Sequence, residues 1–318
     1  MCVLSLFDGI SCGQIALERS GTRYSNYYAS EVDRFAIQVT QHNYPNTIQL
    51  GDINNWGRWK LPSIDLLLGG SPCQGFSVAG GGKGFDDQRS GLFFKYVDIL
   101  LAYQPTYFLL ENVKMKQEWC DIITGLLCVD PIVINSALVS AQNRVRMYWT
   151  NIPNITQPED KGIMLKDIIE GGNVDRDKSY CIDANYFKSG SLKIYFDKKR
   201  RQLAKINKYQ SQRRLMVRCD HVGEADIKGI DSMRRVYSID AKCPTLSTCQ
   251  GGHREPKITT DDVTWRKLTP LECERLQTVP DNYTAGVSNT QRYKMLGNGY
   301  TVDVIAHILK CGGLHERA

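Results

Sequence analysis

Short apolar runs alternate with amphipathic stretches through the first half of the chain. The runs at 2–7, 27–30, 64–68, 107–110, 132–135 and 147–150 have the length of buried strands. Between them, 13–20, 34–43, 91–102 and 116–128 carry helical patterning; in the third of these Leu92, Phe93, Tyr96, Val97, Leu100 and Leu101 recur at helical spacing. Strands alternating with helices predict βαβ units, hence an α/β fold with a Rossmann-like, doubly wound, mostly parallel sheet covered on both faces. Ligands of such sheets bind in the loops at the carboxyl ends of the strands. Past about residue 153 the chain becomes more polar, more basic and less periodic. Helical patterns return in LTPLECERLQTVP and TVDVIAHILK. The expected organisation is a first domain over 1–152, a smaller loop-rich domain over 153–265, and a segment over 266–318 that packs back on the first.

Composition narrows this picture without redirecting it. At 318 residues, 42% hydrophobic and 23% charged, the chain can bury a large core. No run of about 18 apolar residues occurs, so no membrane span is expected. The opening MCVLSLFDGI lacks a basic n-region and a long apolar segment, so a cytoplasmic protein is expected. The eleven cysteines show no CxxC spacing and histidines number five, so reduced thiols are expected and no metal site. The net charge is +6, but its location matters more. Residues 193–218 hold ten basic side chains, Lys199, Arg200 and Arg201 among them, against the one acid Asp197. Such a cluster suits a phosphate backbone; it also suits a solvated helix face.

Six constellations carry candidate chemistry. SLFDGISCG (5–13) joins the first strand to the first helix, and Gly9 and Gly13 would let backbone approach a ligand. It lacks GxGxxG, and an ordinary tight turn fits it equally. Glu31 in ASEVD follows the second strand, where an acid can accept both hydroxyls of a ribose. Asp52 in GDI could accept from an adenine amino group; either acid could also cap a helix. GGSPCQGFS (69–77) places Cys73 behind Pro72 at a strand end, where a thiolate nucleophile would face a cleft. Cys12, Cys120, Cys128 and Cys311 are read as structural thiols. Glu111, in ENV after YFLL, is an acid ending a buried strand, where burial would raise its pKa towards a proton donor's. Arg144 and Arg146, in QNRVRMYW, alternate onto one strand face as fork-shaped donors.

In this order, followed by RKLTPLECERLQ and MLGNGYTVDVI, the features resemble the cytosine-5 DNA methyltransferases across almost the whole chain outside its middle. SLFDGI and ASEVD are also similar in wording to the eukaryotic de novo enzymes, while the length resembles a compact bacterial or phage protein. The resemblance implies a class I methyltransferase domain, S-adenosyl-L-methionine as donor with S-adenosyl-L-homocysteine as product, and double-stranded DNA as partner. It makes Cys73 the nucleophile on cytosine carbon 6, Glu111 the acid at ring nitrogen 3, Arg146 the holder of the base carbonyl and Arg144 its companion. Phe7, Asp8, Gly9, Gly13, Glu31, Val32, Asp52, Ile53, Pro72, Leu92 and Asn298 fall at cofactor positions. The 153–265 section corresponds to a target recognition domain, with PTLSTCQGG (244–252) inside it. DNA contacts are expected at Ser77, Gly80, Gly81, Gly82 and Lys83, at Lys199, Arg200 and Arg201, and at Thr245, Ser247, Thr248, Gly251 and Gly252. One departure stands out: where the family has GNSV, this chain has GNGYTV, with Gly299 and Tyr300 at the Ser and Val positions.

The resemblance further implies base flipping, DNA methylation and a restriction-modification setting in a bacterial or phage-infected cell; a monomer is compatible with the chain. Two rival functions stay open at this point. A tRNA-directed relative would share the core, although the CFT tripeptide of such members is missing here. A non-catalytic DNA-binding relative would have lost the cysteine or the glutamate, and both are present.

Overall fold

The computed structural model describes residues 1–71, 91–188, 190, 192–207, 221–224, 235–237, 257–258 and 263–316. In chain order the first part builds β1 (Cys2–Leu6), α1 (Cys12–Ser20), β2 (Asn26–Ser30), α2 (Arg34–Asn43), β3 (Ile48–Gln49), β4 (Leu66–Gly69), α3 (Gly91–Tyr103), β5 (Tyr107–Val113), α4 (Gln117–Leu127), β6 (Ile132–Asn135) and β7 (Val145–Thr150). The apolar runs thus become strands and the amphipathic stretches helices, with ends shifted by one to three residues. The two-residue β3 lies just before Asp52, and no apolar run marks its bounds.

These strands form one seven-stranded sheet in the order β3-β2-β1-β4-β5-β7-β6. The pairs β1–β2, β2–β3, β1–β4 and β4–β5 are parallel, whereas β7 runs antiparallel to both β5 and β6. The reversal has a direct consequence for chemistry. It brings the amino-terminal start of β7 beside the carboxyl end of β5, so that Arg146 pairs with Val113 in the register. A parallel β7 would have left Arg146 at the opposite edge of the sheet.

One face of the sheet packs Leu4, Leu6, Leu67 and Leu110 against Phe93, Tyr96 and Val97 of α3 and Ile123 of α4. The glycine pair ending β4 is explained here. A Cβ on Gly69 would lie 2.6 Å from the Tyr96 ring, and one on Gly70 would lie 2.9 Å from the Tyr300 ring. Two aromatic rings occupy the space that side chains would need. Gly13 has a similar reason: its Cβ would meet the Tyr27 hydroxyl at 2.6 Å and Leu68 at 2.9 Å. It serves helix-on-sheet packing within α1 rather than ligand approach.

The chain resolves into two compact units. The first comprises Met1–Glu170, Arg176–Leu203 and Lys267–Ala318, and the second Gly171–Asp175 with Ala204–Arg266. In the first, α5 (Leu165–Ile168) and α6 (Leu192–Lys198) follow the sheet. Its last part folds as α7 (Pro270–Leu276), α8 (Asn289–Asn298) and α9 (Val302–Cys311). The start of α7 is written locally: Thr269 and Glu272 form a reciprocal capping box and Pro270 sits at the first turn. The apolar face of α9 is buried, and Asp303 on its first turn meets Arg19 of α1 at 2.5 Å. Within the second unit, 221–224, 235–237 and 257–258 form a three-stranded sheet.

Candidate active site

At the carboxyl edge of the sheet, the turns after β1, β2, β3, β4 and β5 and the start of β7 surround a cleft of about 510 Å³. That size lies within the range of about 300–1,000 Å³ typical of sites for cofactor-sized ligands. Phe7, Asp8, Gly9, Glu31, Val32, Asp52, Ile53, Leu92, Glu111, Arg144, Arg146 and Asn298 all line it. Residues spread over almost 300 positions thus meet in one cavity. Gly13 does not line it. Pro72, Cys73, Ser77, Gly80, Gly81, Gly82, Lys83, Thr245, Ser247, Thr248, Gly251 and Gly252 lie outside the described residues.

The β1 end is shaped by backbone. Phe7, Gly9 and Ser11 all adopt the left-handed region, with φ of 57°, 59° and 59°. For Phe7 this conformation costs free energy on the order of 1 kcal/mol or more. The turn is held open by Glu31, whose Oε2 accepts from Gly9 N at 2.8 Å, while Oε1 accepts from Val32 N at 2.7 Å and Asp33 N at 2.8 Å. Asp8 lies beneath the same turn, accepting from Ser11 Oγ at 2.6 Å and the Tyr27 hydroxyl at 2.7 Å. Burial pushes its carboxyl up to about 6, although the hydroxyl donors pull the other way. Asp52 caps the following 3-10 turn by accepting from Asn54 N at 2.9 Å. The capping role that the sequence left open is therefore real for Asp52, whereas α2 is capped by Asp33, which accepts from Phe35 N at 3.0 Å; the carboxylates of Glu31 and Asp52 both border the cleft. Across the mouth Lys294 of α8 meets Asp33 at 2.7 Å.

The β5 end is built from side chains. Arg146 Nε lies 3.0 Å from Glu111 Oε1, and both side chains are largely buried. Burial opposes the guanidinium charge, yet Glu111, Cys181 and Tyr148 together outweigh it and the group stays above its ordinary range. Ser71, immediately before Pro72, accepts from Asn112 Nδ2 at 3.2 Å, which ties the ends of β4 and β5 together. Arg144 has a different placement from Arg146. It is 3% exposed, and its guanidinium donates to the carbonyl oxygens of Ile182 (3.3 Å), Gly297 (3.3 Å) and Gly299 (2.9 Å). Arg144 therefore fastens β7 to the end of α8 that carries Asn298, and its Nε is buried without a partner among the described residues.

The structure adds cleft residues to which the sequence assigned no site role: Cys12, Gly70, Ser71, Asn112, Met295 and Tyr300 among them. Tyr300 lay in plain view as the departure from the family wording, but its packing over Gly70 could not be read from one dimension. Burial pushes the Cys12 thiol up to about 12 and raises those of Cys120 and Cys273 as well, which suits structural thiols. Of the basic cluster, Arg200 pairs with Asp183 at 2.5 Å. Among the described residues no group of three or more His, Cys, Asp or Glu could hold a metal ion, and no helix is long and apolar enough to cross a membrane.

A cleft of this make-up, at the carboxyl edge of a 3-2-1-4-5-7-6 sheet with one reversed strand, defines the class I methyltransferase fold. The chain belongs to the C-5 cytosine-specific DNA methylase family, whose pattern it matches over residues 1–118 and 129–311. Its activity is the family's, methyl transfer to cytosine in DNA, which requires a methyl donor. It is 30% identical to the type II methyltransferase M.NgoBI of Neisseria gonorrhoeae over 95% of this chain and 90% of that protein. It is 28% identical to the orphan methyltransferase M.SPRI of Bacillus phage SPR over 97% of this chain and 96% of that one. Among solved structures, the methyltransferase EhMeth of Entamoeba histolytica superposes with a TM-score of 0.62 at 15% identity, covering 98% of this chain and 97% of the other. A Spodoptera frugiperda DNMT2 mutant gives 0.60 at 19% identity, covering 98% and 99%. These two likenesses bear on the fold.

Proposed function

We propose that the protein transfers the methyl group of S-adenosyl-L-methionine to carbon 5 of a cytosine flipped out of duplex DNA, through a covalent adduct on Cys73. The observation that carries this reading is the meeting of Glu31, Asp52 and Asn298 with the Glu111–Arg146 pair in one cleft. The donor set fits an adenosine cofactor. Two carboxylates border the cleft after β2 and β3, the backbone of the strained Phe7–Gly9 turn is free of bulk, and Leu92 and Ile53 supply apolar walls. When bound, S-adenosyl-L-methionine supplies an electrophilic methyl group on a sulfonium.

The chain's residues then divide the work. Carbon 5 of cytosine is a weak nucleophile, so the Cys73 thiolate adds to carbon 6 and makes carbon 5 electron-rich. Glu111 delivers a proton towards ring nitrogen 3 and so absorbs the charge that the thiolate brings. Arg146 holds the base carbonyl while its Nε stays on Glu111, which keeps acid and carbonyl donor in one plane. Loss of the carbon 5 proton to water, departure of the thiolate and return of the nitrogen 3 proton to Glu111 restore the ring and the enzyme. The target atom is inaccessible inside a duplex, so the base leaves the stack at a cost of a few kcal/mol. The section 153–265 acts as target recognition domain, 1–152 as catalytic domain and 266–318 as the segment that closes it. Phosphates are gripped by the basic run that includes Lys199, Arg200 and Arg201, and binding weakens with salt. The bacterial or phage-infected cytoplasm is the setting.

Cys73→Ser is expected to abolish methyl transfer while S-adenosyl-L-homocysteine binds as before. DNA containing 5-fluorocytosine is expected to trap the wild type covalently. Methyl transfer by the serine variant, or transfer to tRNA in place of duplex DNA, would overturn the proposal.

A further inference from the structure

Beside the guanidinium groups of Arg144 and Arg146 lies a cysteine that the reaction above does not use. Cys181 is half-buried, and its sulfur accepts from Arg144 Nη1 at 3.5 Å and from Arg146 Nη2 at 3.9 Å. Its own thiol points at the Ile182 carbonyl, 3.4 Å away. The segment bearing it is pinned to the approach to β7 by backbone. Ser179 N donates to Ala141 O at 2.8 Å, Asn143 N donates to Ser179 O at 3.1 Å, and Ile182 N donates to Gln142 Oε1 at 2.9 Å. The Cys181 backbone is therefore held on both sides, through main chain at Ser179 and through the buried Gln142 side chain at Ile182.

Arg146 needs such a neighbour. Its three nitrogens face three directions: Nε to Glu111, Nη1 to the Val145 carbonyl at 2.8 Å, and Nη2 to Cys181. The first two anchors lie on β5 and β7. Cys181 is the acceptor for Arg146 from outside the sheet among the described residues. A guanidinium held at Nε and Nη1 alone can still rock about its long side chain, and a displacement of about 1 Å is enough to cost rate. Arg144, gripped by backbone carbonyls at Gly297 and Gly299, holds the same sulfur from the other side.

We propose that Cys181 is a positioning residue for methyl transfer: its sulfur fixes the Arg146 guanidinium beside Glu111, in the orientation that receives the base carbonyl. The proposal deepens the reading of Glu111 and Arg146 as the base-holding pair and rests on it.

Three variants of the full chain test it. Cys181→Ser keeps an acceptor, Cys181→Val keeps volume without one, and Cys181→Ala keeps neither. The expected result is a kcat on duplex DNA about tenfold lower for the valine and alanine variants, with serine recovering most of the loss. The S-adenosyl-L-homocysteine dissociation constant, measured by calorimetry, stays within twofold for all three. A valine variant as active as the wild type overturns the proposal. So does a serine variant no better than valine at equal thermal stability, because packing would then be the role. So does a parallel loss of cofactor affinity. Glu111→Gln separates the two levels. If that variant remains fully active, the base-holding reading itself fails; if it is inactive while Cys181→Val is fully active, only the role of Cys181 fails.

Discussion

The two ends of the cleft are built by opposite means. At the β1–β3 end the acids are satisfied by main chain: Glu31 takes three backbone N–H groups and Asp52 takes a fourth. At the β5–β7 end the acid is satisfied by another side chain, since Arg146 faces Glu111 across an antiparallel pair. The first end is preorganised by turn geometry, and a change there alters the shape of the site. The second is a largely buried ion pair facing the cleft, and a change there alters charge while the shape persists. On the proposed function, binding of the cofactor and handling of the base would thereby rest on separable supports.

This contrast predicts separable failures. The largest effect is expected from Glu111→Gln, which should lower kcat on duplex DNA by about 10² to 10⁴. Cofactor affinity should stay within about twofold of wild type by calorimetry if the ends are separable. A cofactor affinity that collapsed in this variant would show the two ends to be one unit. Next is Glu31→Ala, which removes the acceptor of three N–H groups. S-adenosyl-L-homocysteine binding should weaken by roughly 100-fold, while kcat at saturating cofactor changes by no more than about threefold. The reverse split, kcat lost and affinity kept, would break the comparison.

The third effect concerns Asp8 beneath the β1 turn. Its folded pKa of about 6 lies above the unfolded value of 3.8, so between these values the folded state binds more protons than the unfolded one. Stability from this group is therefore greatest below pH 4 and is lost as pH rises through about 6, by something on the order of 3 kcal/mol. Chemical unfolding of wild type and Asp8→Asn across pH 4 to 7 should show this slope in the wild type and not in the variant. A difference independent of pH would remove the buried carboxyl from the account. The smallest effect is expected at Tyr300, whose buried hydroxyl has no partner among the described residues. Tyr300→Phe removes that unmet donor without creating a cavity and should raise unfolding free energy by about 1 kcal/mol. Destabilisation of that size would mean the hydroxyl has found a partner such as bound water.

Much of the frame was legible in the chain. The apolar runs at 107–110 and 132–135 and the helical spacing in 91–102 are statements about burial, and burial decides sheet and helix locally. The bounds of the two-residue β3 carry no apolar run, because so short a strand owes its place to its neighbour, through pairing with Tyr28 and Ala29. Gly13 and Gly69 were visible as glycines, but the rings and side chains that exclude a Cβ come from residues tens of positions away. Arg144 and Arg146 looked equivalent on one strand face. In the fold one is fastened by carbonyls of the last helices and the other meets Glu111.

The order of chemistry-bearing residues, their types and the alternation of elements are properties of the chain, and they pointed to the family before any contact was known. Two things belong to the folded molecule alone. One is the reversal of β7, because strand direction follows from how the last hairpin closes against β5 and not from the residues of the strand. The other is the choice of partner for each buried charge. A guanidinium or carboxylate leaving water takes whichever donor or acceptor the packed chain brings within about 3 Å, and for Arg144, Arg146 and Cys181 those partners lie up to 155 residues apart.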